Sequence, residues 1–181
     1  FTISIGLIIG SVISLSQLSY MKQKRLGFNK EQIIVIRIVD DSLRKMIPTI
    51  KAELKSISGI IEVAASSHVP GRVSAWHTFV PKGHNPQIMA KLMGRISINP
   101  NFIPTMGIQI VNGRNFSHEI ISDPSESILI NEAAARRYDW KNPVGKIIHF
   151  LPNDIFLPND TGKTVIGIVK DYHVRSLHHE I

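Results

Sequence analysis

Thr164-Val165-Ile166-Gly167-Ile168-Val169 is the stretch on which the fold turns. It is short, rich in β-branched residues and apolar on both faces. A strand of that kind needs cover above and below, so it belongs at the centre of a sheet. Immediately upstream lie Gly162-Lys163 and a short tandem repeat, Phe150-Leu151-Pro152-Asn153-Asp154 and Phe156-Leu157-Pro158-Asn159-Asp160. Two copies of a Pro-Asn-Asp unit read as a protruding hairpin or loop rather than a solenoid. Lys170–Ile181, downstream, is polar and His-rich.

Working back from this strand, Lys146–Leu151 reads as another strand, entered through the turn Asn142-Pro143-Val144-Gly145. Ser127–Ile130 leads into a helix that starts at Asn131. Asn131 is a good N-cap, Glu132 suits the first turn, and Arg136 and Arg137 suit the last. His118–Ser125 is a polar, acidic loop. Ile108–Val111 reads as a strand closed by Asn112-Gly113, and Phe102–Met106 as a short helix after the breaker Asn99-Pro100-Asn101. Thr78–Lys82 and Lys91–Ile98 read as strands separated by the loop Lys82–Gln87, and Val69-Pro70-Gly71-Arg72 as a turn.

The stretch before that turn has the size of a βαβ unit. Gln32–Val39 (QIIVIRIV) is a β-branched run, and Asp40, Asp41 and Ser42 offer N-caps. Leu43, Ile47, Ile50, Leu54 and Ile57 then recur at helical spacing, with Gly59 as the stop. Pro48 lies beyond the first turn, so it kinks this helix or shifts its start. Ile60–Ser66 reads as the second strand.

The first 21 residues carry no charge. Phe1–Tyr20 (FTISIGLIIGSVISLSQLSY) is long enough to cross a bilayer, since twenty helical residues span about 30 Å. Gly6 and Gly10 have the small-xxx-small spacing that lets membrane helices pack closely. Ser11 and Ser14 can hydrogen-bond within the helix or across to a neighbour. Tyr20 stands where an interfacial aromatic belongs, followed by Lys22, Lys24 and Arg25. By the positive-inside rule that basic cluster points the next region toward the cytoplasm. The chain begins at Phe1 rather than Met, which reads as an excerpt cut inside a membrane helix.

Composition narrows the chemistry. The chain has 181 residues, 43% apolar and 19% charged, enough to bury a core and too apolar for disorder. It contains no cysteine, which excludes disulfides, thiolate zinc sites and cysteine nucleophiles. A net charge of +7 is moderate for this length. The aromatics do not interleave with the basic residues, which argues against a nucleic-acid platform.

No catalytic constellation assembles. Gly162-Lys163-Thr164 resembles the end of a phosphate loop, but position 157 is Leu and a strand follows. His173, His178 and His179 lack carboxylates at ligand spacing apart from Glu180. Ser66-Ser67-His68 has no acid partner, and no Gly-x-Ser-x-Gly elbow is present. Asp123, Glu126, Asp154 and Asp160 read as solvating loop carboxylates. Phe102, Phe116 and Trp140 read as core anchors, and Gly107 and Gly113 as turn residues.

An ordered set of motifs runs through nearly the whole chain. It comprises Gln17–Met21 with Leu26–Glu31, Ala65–Gly71, Asn101–Ile108 with Asn112–Ser117, Ile130–Ala134, Asn142–Lys146, and Val165–His173 with Ser176-Leu177-His178. Together these resemble the MacB/FtsX-like ABC transporter permeases. The Pro-Asn-Asp repeat is not part of that pattern. The resemblance implies a mixed α/β fold: an N-terminal transmembrane helix (1–21), then a two-lobed MacB-type periplasmic domain. A porter-like βαβ lobe would take residues 30–98 and 163–181, and an inserted α/β lobe residues 99–162. The domain would stand in the periplasm, outside the inner membrane.

The implied function is that of an export or efflux permease subunit, without catalytic, cofactor or metal residues of its own. ATP would be hydrolysed by a partner ATPase subunit or domain. A second permease copy or second periplasmic domain, and periplasmic or outer-membrane proteins, would be further partners. A competing reading is a membrane-anchored ligand-sensing or adhesion domain that transports nothing.

Overall fold

The computed structural model describes residues 1–23, 27–29, 31–69, 75–151 and 162–173. It is a mixed α/β fold preceded by one long helix, α1 (Thr2–Gln23). Over Thr2–Ser19 the mean hydropathy of α1 is 1.6 and no residue is buried. That length and composition suit a membrane crossing.

Two short helices follow, α2 (Asp41–Lys45) and α3 (Ile47–Ser56). The periodic segment is therefore interrupted at Met46. Asp40 caps α2 by accepting a hydrogen bond from the Ser42 N–H at 2.7 Å, and Pro48 sits in the first turn of α3, where its missing N–H is harmless. The remaining elements are β1 (Trp76–Pro81), α4 (Pro86–Met89), β2 (Lys91–Gly94), α5 (Phe102–Thr105), β3 (Ile110–Gly113), α6 (Asp123–Glu126), β4 (Ser127–Asn131), α7 (Glu132–Arg137), β5 (Ile147–Leu151) and β6 (Lys163–Val169).

The six strands form one sheet with β6 at its centre. β4 runs parallel along one edge of β6 from Ser127 to Asn131. The other edge is shared end to end, by β5 at Lys163 and Thr164 and by β3 at Gly167 to Val169, both antiparallel. Beyond β5 lie β1 and then β2. The central position expected of Thr164–Val169 is borne out: Val165 is 0%, Ile166 9%, Ile168 8% and Val169 4% exposed. Strands from 30–98, 99–162 and 163–181 all share this sheet. From β1 onward the expected strands and the helices after Asn101 and Asn131 form, but β2 ends at Gly94 rather than Ile98, and the short helices α4 and α6 overlap the expected loops Lys82–Gln87 and His118–Ser125.

Two expected strands do not form. Residues 33–40 and 60–65 have no regular secondary structure and belong to no ladder, and an isolated bridge joins Ser66 to Ile98. Ile34 and Ile61 are 88% and 89% exposed. β-branched residues tolerate an extended backbone, but a strand also needs a neighbour to accept its hydrogen bonds. Among the described residues none is in place.

The core is built in three patches. Phe102, Ile103, Met106, Ile108 and Val169 form one, beside β3 and the end of β6. Phe79, Tyr138 and Ile148 form the second, with Trp140 and Phe150 against it. Ile130, Ala135 and Val165 link α7 to the sheet. Phe102 is thus a core anchor as expected, while Phe116 and Trp140 are half-buried. Gly113 does more than turn the chain. A Cβ there would lie 2.3 Å from the Ile166 carbonyl oxygen, so the close approach of β3 to β6 depends on glycine.

Asp123 corrects the sequence reading. It is not a solvating loop charge: its side chain is 1% exposed. Arg114 donates to both carboxylate oxygens at 2.7 Å, the Ser117 N–H donates at 2.8 Å and the Ser127 hydroxyl at 2.9 Å. The Arg114 hydrogen bonds hold this carboxyl far below the ordinary carboxylate range against the opposing effect of burial. The pair clasps the 114–127 loop between β3 and β4.

Candidate functional site at the helix exit

The segment following α1 returns to the domain at Gly27-Phe28-Asn29, and each residue makes a different attachment. Gly27 has φ +82°, and a Cβ built on it would lie 2.6 Å from the Asp171 carbonyl oxygen and 2.8 Å from Tyr172 Cα. Only glycine permits that backbone contact in that conformation. Phe28 meets the Tyr172 ring edge-on at 6.4 Å. It also packs on the patch formed by Phe102, Ile103, Met106, Ile108 and Val169. The Asn29 N–H donates to the Met106 carbonyl at 2.7 Å. A glycine contact, an aromatic anchor and a backbone hydrogen bond therefore hold the chain where it leaves the apolar helix.

The other half of the junction is the exit of β6. Asp171 Oδ1 accepts from the Ala133 N–H at 2.8 Å, and Oδ2 pairs with Arg136. The Asp171 N–H donates in return to the Glu132 carboxylate at 3.2 Å. Asn131 caps the same helix by accepting from the Ala134 N–H at 3.0 Å, as its position before Glu132 led us to expect. Asp171 thus ties the end of β6 to the start of α7. The bond to Asp171 raises the Arg136 guanidinium above its ordinary value, and burial pushes the Tyr172 phenol up. Nothing in this arrangement activates a nucleophile or a general base. Its chemistry is mechanical: two chain segments, before and after the sheet, share one point of attachment.

The expected membrane positions lie elsewhere. Gly6 and Gly10 have nothing within 4 Å of where a Cβ would stand, so that face of α1 is open. Ser11 and Ser14 donate to the Leu7 and Gly10 carbonyls at 2.8 and 2.9 Å, so their hydroxyl donors are used within the helix. Tyr20 and Lys22 fall in the last turns of α1. Lys24 and Arg25 lie outside the described residues, as do His178, His179 and the repeat residues Asp154 and Asp160.

Among the described residues no three His, Asp or Glu side chains gather as a metal site would need. The Ser66-Ser67-His68 group is bonded locally: Ser66 Oγ donates to the His68 carbonyl, and Ser67 Oγ lies 3.0 Å from His68 Nδ1 and accepts from the Ser97 N–H.

Sequence reasoning did not single out the junction. Gly27, Phe28, Asp171 and Tyr172 entered it only as members of motifs. The available signals were a Gly-Phe pair just past an apolar helix and a carboxylate just past the central strand.

A family model for the MacB-like periplasmic core domain matches residues 1–177. No curated protein matches the chain. Similar solved structures include a domain of a protein described as a permease, from Porphyromonas gingivalis (18% identity, TM-score 0.48, covering 67% of this chain and 48% of that one). Another is the periplasmic region of MacB from Actinobacillus actinomycetemcomitans (17% identity, TM-score 0.48, 71% and 52%). A third is the extracellular domain of the noncanonic ABC-type transporter YknZ from Gram-positive bacteria (20% identity, TM-score 0.44, 66% and 55%). The chain spans about half the length of the first two and 55% of the third. With all but the last four residues matched, this chain belongs to the MacB-like periplasmic core domain family.

Proposed function

We propose that this chain is the extracytoplasmic domain, with its leading membrane helix, of an ABC-type export permease. In this reading ATP is hydrolysed by a separate ATPase subunit or domain on the cytoplasmic side. The domain contributes no catalysis and no cofactor. It stands outside the inner membrane and moves when the membrane helices move, so that substrate is expelled outward. Gly6 and Gly10 form a helix-packing face in the membrane, and Tyr20, Lys22, Lys24 and Arg25 mark its interface on the outer side, against the positive-inside expectation for that basic cluster. A second permease copy or a second domain of this kind completes the assembly.

The observation that carries the reading is the helix-exit junction. Phe28 is packed on the Phe102–Ile108 core patch, and Gly27 lies against Asp171–Tyr172. A displacement of α1 that reaches Gly27 would therefore act on the core and on the end of β6 together. Such coupling biases a two-state element.

Two measurements on the full-length permease test this. Asn85→Cys and Ser125→Cys, with any native cysteines elsewhere removed, report topology to a membrane-impermeant maleimide after only the outer membrane is permeabilised. Labelling at both sites is expected. Labelling only after inner-membrane lysis, at sites that label when denatured, would sink the export reading. Spin labels at Gln17 and Ser125 then report the distance between helix and domain. A nucleotide-dependent shift in the complex with its ATPase is expected. Periplasmic labelling with no such shift would favour an anchored sensor.

A further inference from the structure

A shallow recess of about 240 Å³ lies where the end of β1 meets the start of β5. Its ionisable lining is Lys82, His84 and Lys146, with no carboxylate, and Trp140 forms a wall. The backbones of both lysines are fixed: the Lys82 N–H donates to the Ile147 carbonyl at 2.9 Å and the Lys146 N–H to the Pro143 carbonyl at 3.0 Å. Neither lysine has an ion-pair partner among the described residues. His84 Nδ1 lies 3.2 Å from the Lys82 carbonyl oxygen.

The indole is held rigidly. Its ring stacks on Tyr138 at 5.0 Å, and the Tyr138 hydroxyl donates to the buried Phe79 carbonyl at 2.8 Å. Lys146 Nζ stands 5.6 Å from the indole centroid, so among the described residues its side chain has a cation–π contact and no ion pair. An ammonium in that position is available to an anion at little loss.

We propose that this recess binds a phosphate monoester whose organic body lies against Trp140. Charge selects the class. A phosphate monoester carries about −1.5 to −2 at neutral pH and matches two ammonium groups, whereas a carboxylate would leave one unpaired. Lysine serves as a point charge for phosphate, and two of them on adjacent strand ends supply it without a helix terminus. The indole face adds dispersion to a flat or apolar ester body.

The test uses the intact permease in detergent, titrated calorimetrically with phenyl phosphate, with dihexanoyl phosphatidic acid below its micelle concentration, and with inorganic phosphate. Saturable binding of phenyl phosphate or of the short-chain lipid is expected, weakened at least tenfold by Lys82→Gln with Lys146→Gln. Both lysines are exposed, so the double variant should melt like the parent. Binding of phenyl phosphate alone identifies a soluble ester, and binding of the lipid alone a headgroup; either supports the proposal. Absence of saturable binding, or equal binding by the double variant, overturns it. Inorganic phosphate binding as tightly as phenyl phosphate overturns the role of Trp140.

Discussion

Gln32–Val39 and Thr164–Val169 are both runs of isoleucine and valine, and they meet opposite fates. The second is β6, whose apolar residues from Val165 to Val169 are 0% to 9% exposed. The first forms no strand and has Ile34 at 88%, Ile36 at 64% and Val39 at 75% exposed. Local preference does not separate them, since β-branching favours extended backbone in both. The partners do. β6 has β4 along one edge and β5 and β3 along the other. Residues 33–40 have no ladder partner among those described. β-propensity says that a segment fits a sheet; only long-range pairing says whether one is there to receive it.

Truncating the two runs at equivalent residues gives the largest expected contrast. Ile168→Ala removes a side chain from the centre of the sheet and should cost about 3–4 kcal/mol, within the range for buried isoleucines. Ile36→Ala in the exposed run should change stability by less than about 0.5 kcal/mol. Denaturant unfolding of the purified protein measures both. Equal losses would mean that residues 33–40 are paired in solution and that the contrast is wrong.

The Asp123–Arg114 clasp should come next. Removing one partner of a buried pair costs about 3–5 kcal/mol. Asp123→Ala should fall at about 3 kcal/mol, the low end of that range, because Arg114 is 43% exposed and water can receive it. The pair also has a pH signature. The native carboxyl lies well below its unfolded value of about 3.9, so it binds its proton more readily when unfolded. Its stabilisation is therefore fully present above about pH 4 and is lost as pH falls toward the native value. Unfolding between pH 5 and 2 should be steeper in the parent than in Asp123→Ala. Identical slopes would show that the buried charge contributes nothing to acid sensitivity.

What was legible in the chain follows the same division. Interactions within a few residues could be read directly. Asn131 and Asp40 as caps, the acidic and basic ends of α7 and the shift that Pro48 imposes on α3 all depend on neighbours in sequence. So did the place of Thr164–Val169, because two apolar faces can be counted. Asp123 was not legible, since its burial depends on a loop folding back to bring Arg114, Ser117 and Ser127 around it. The junction was hidden for the same reason: Gly27 and Asp171 are at opposite ends of the domain's sequence, and only the assembled sheet puts them in contact.

Arg136 gives the smallest effect and the finest test of that junction. Its pair with Asp171 is on the surface, with Arg136 65% exposed, so the pair itself is worth well under about 1 kcal/mol. Asp171 also accepts from the Ala133 N–H, and that bond survives in Arg136→Gln. The variant should therefore unfold within about 0.5 kcal/mol of the parent. Its effect should be local, appearing as faster hydrogen exchange at Ala133 and Asp171, because the carboxylate loses one of the contacts that fix its rotamer. Unchanged exchange at both amides would show that the cap and the backbone bond to Glu132 hold β6 to α7 without the ion pair. A loss of several kcal/mol would instead mean that Arg136 is far less solvated than its position on α7 implies.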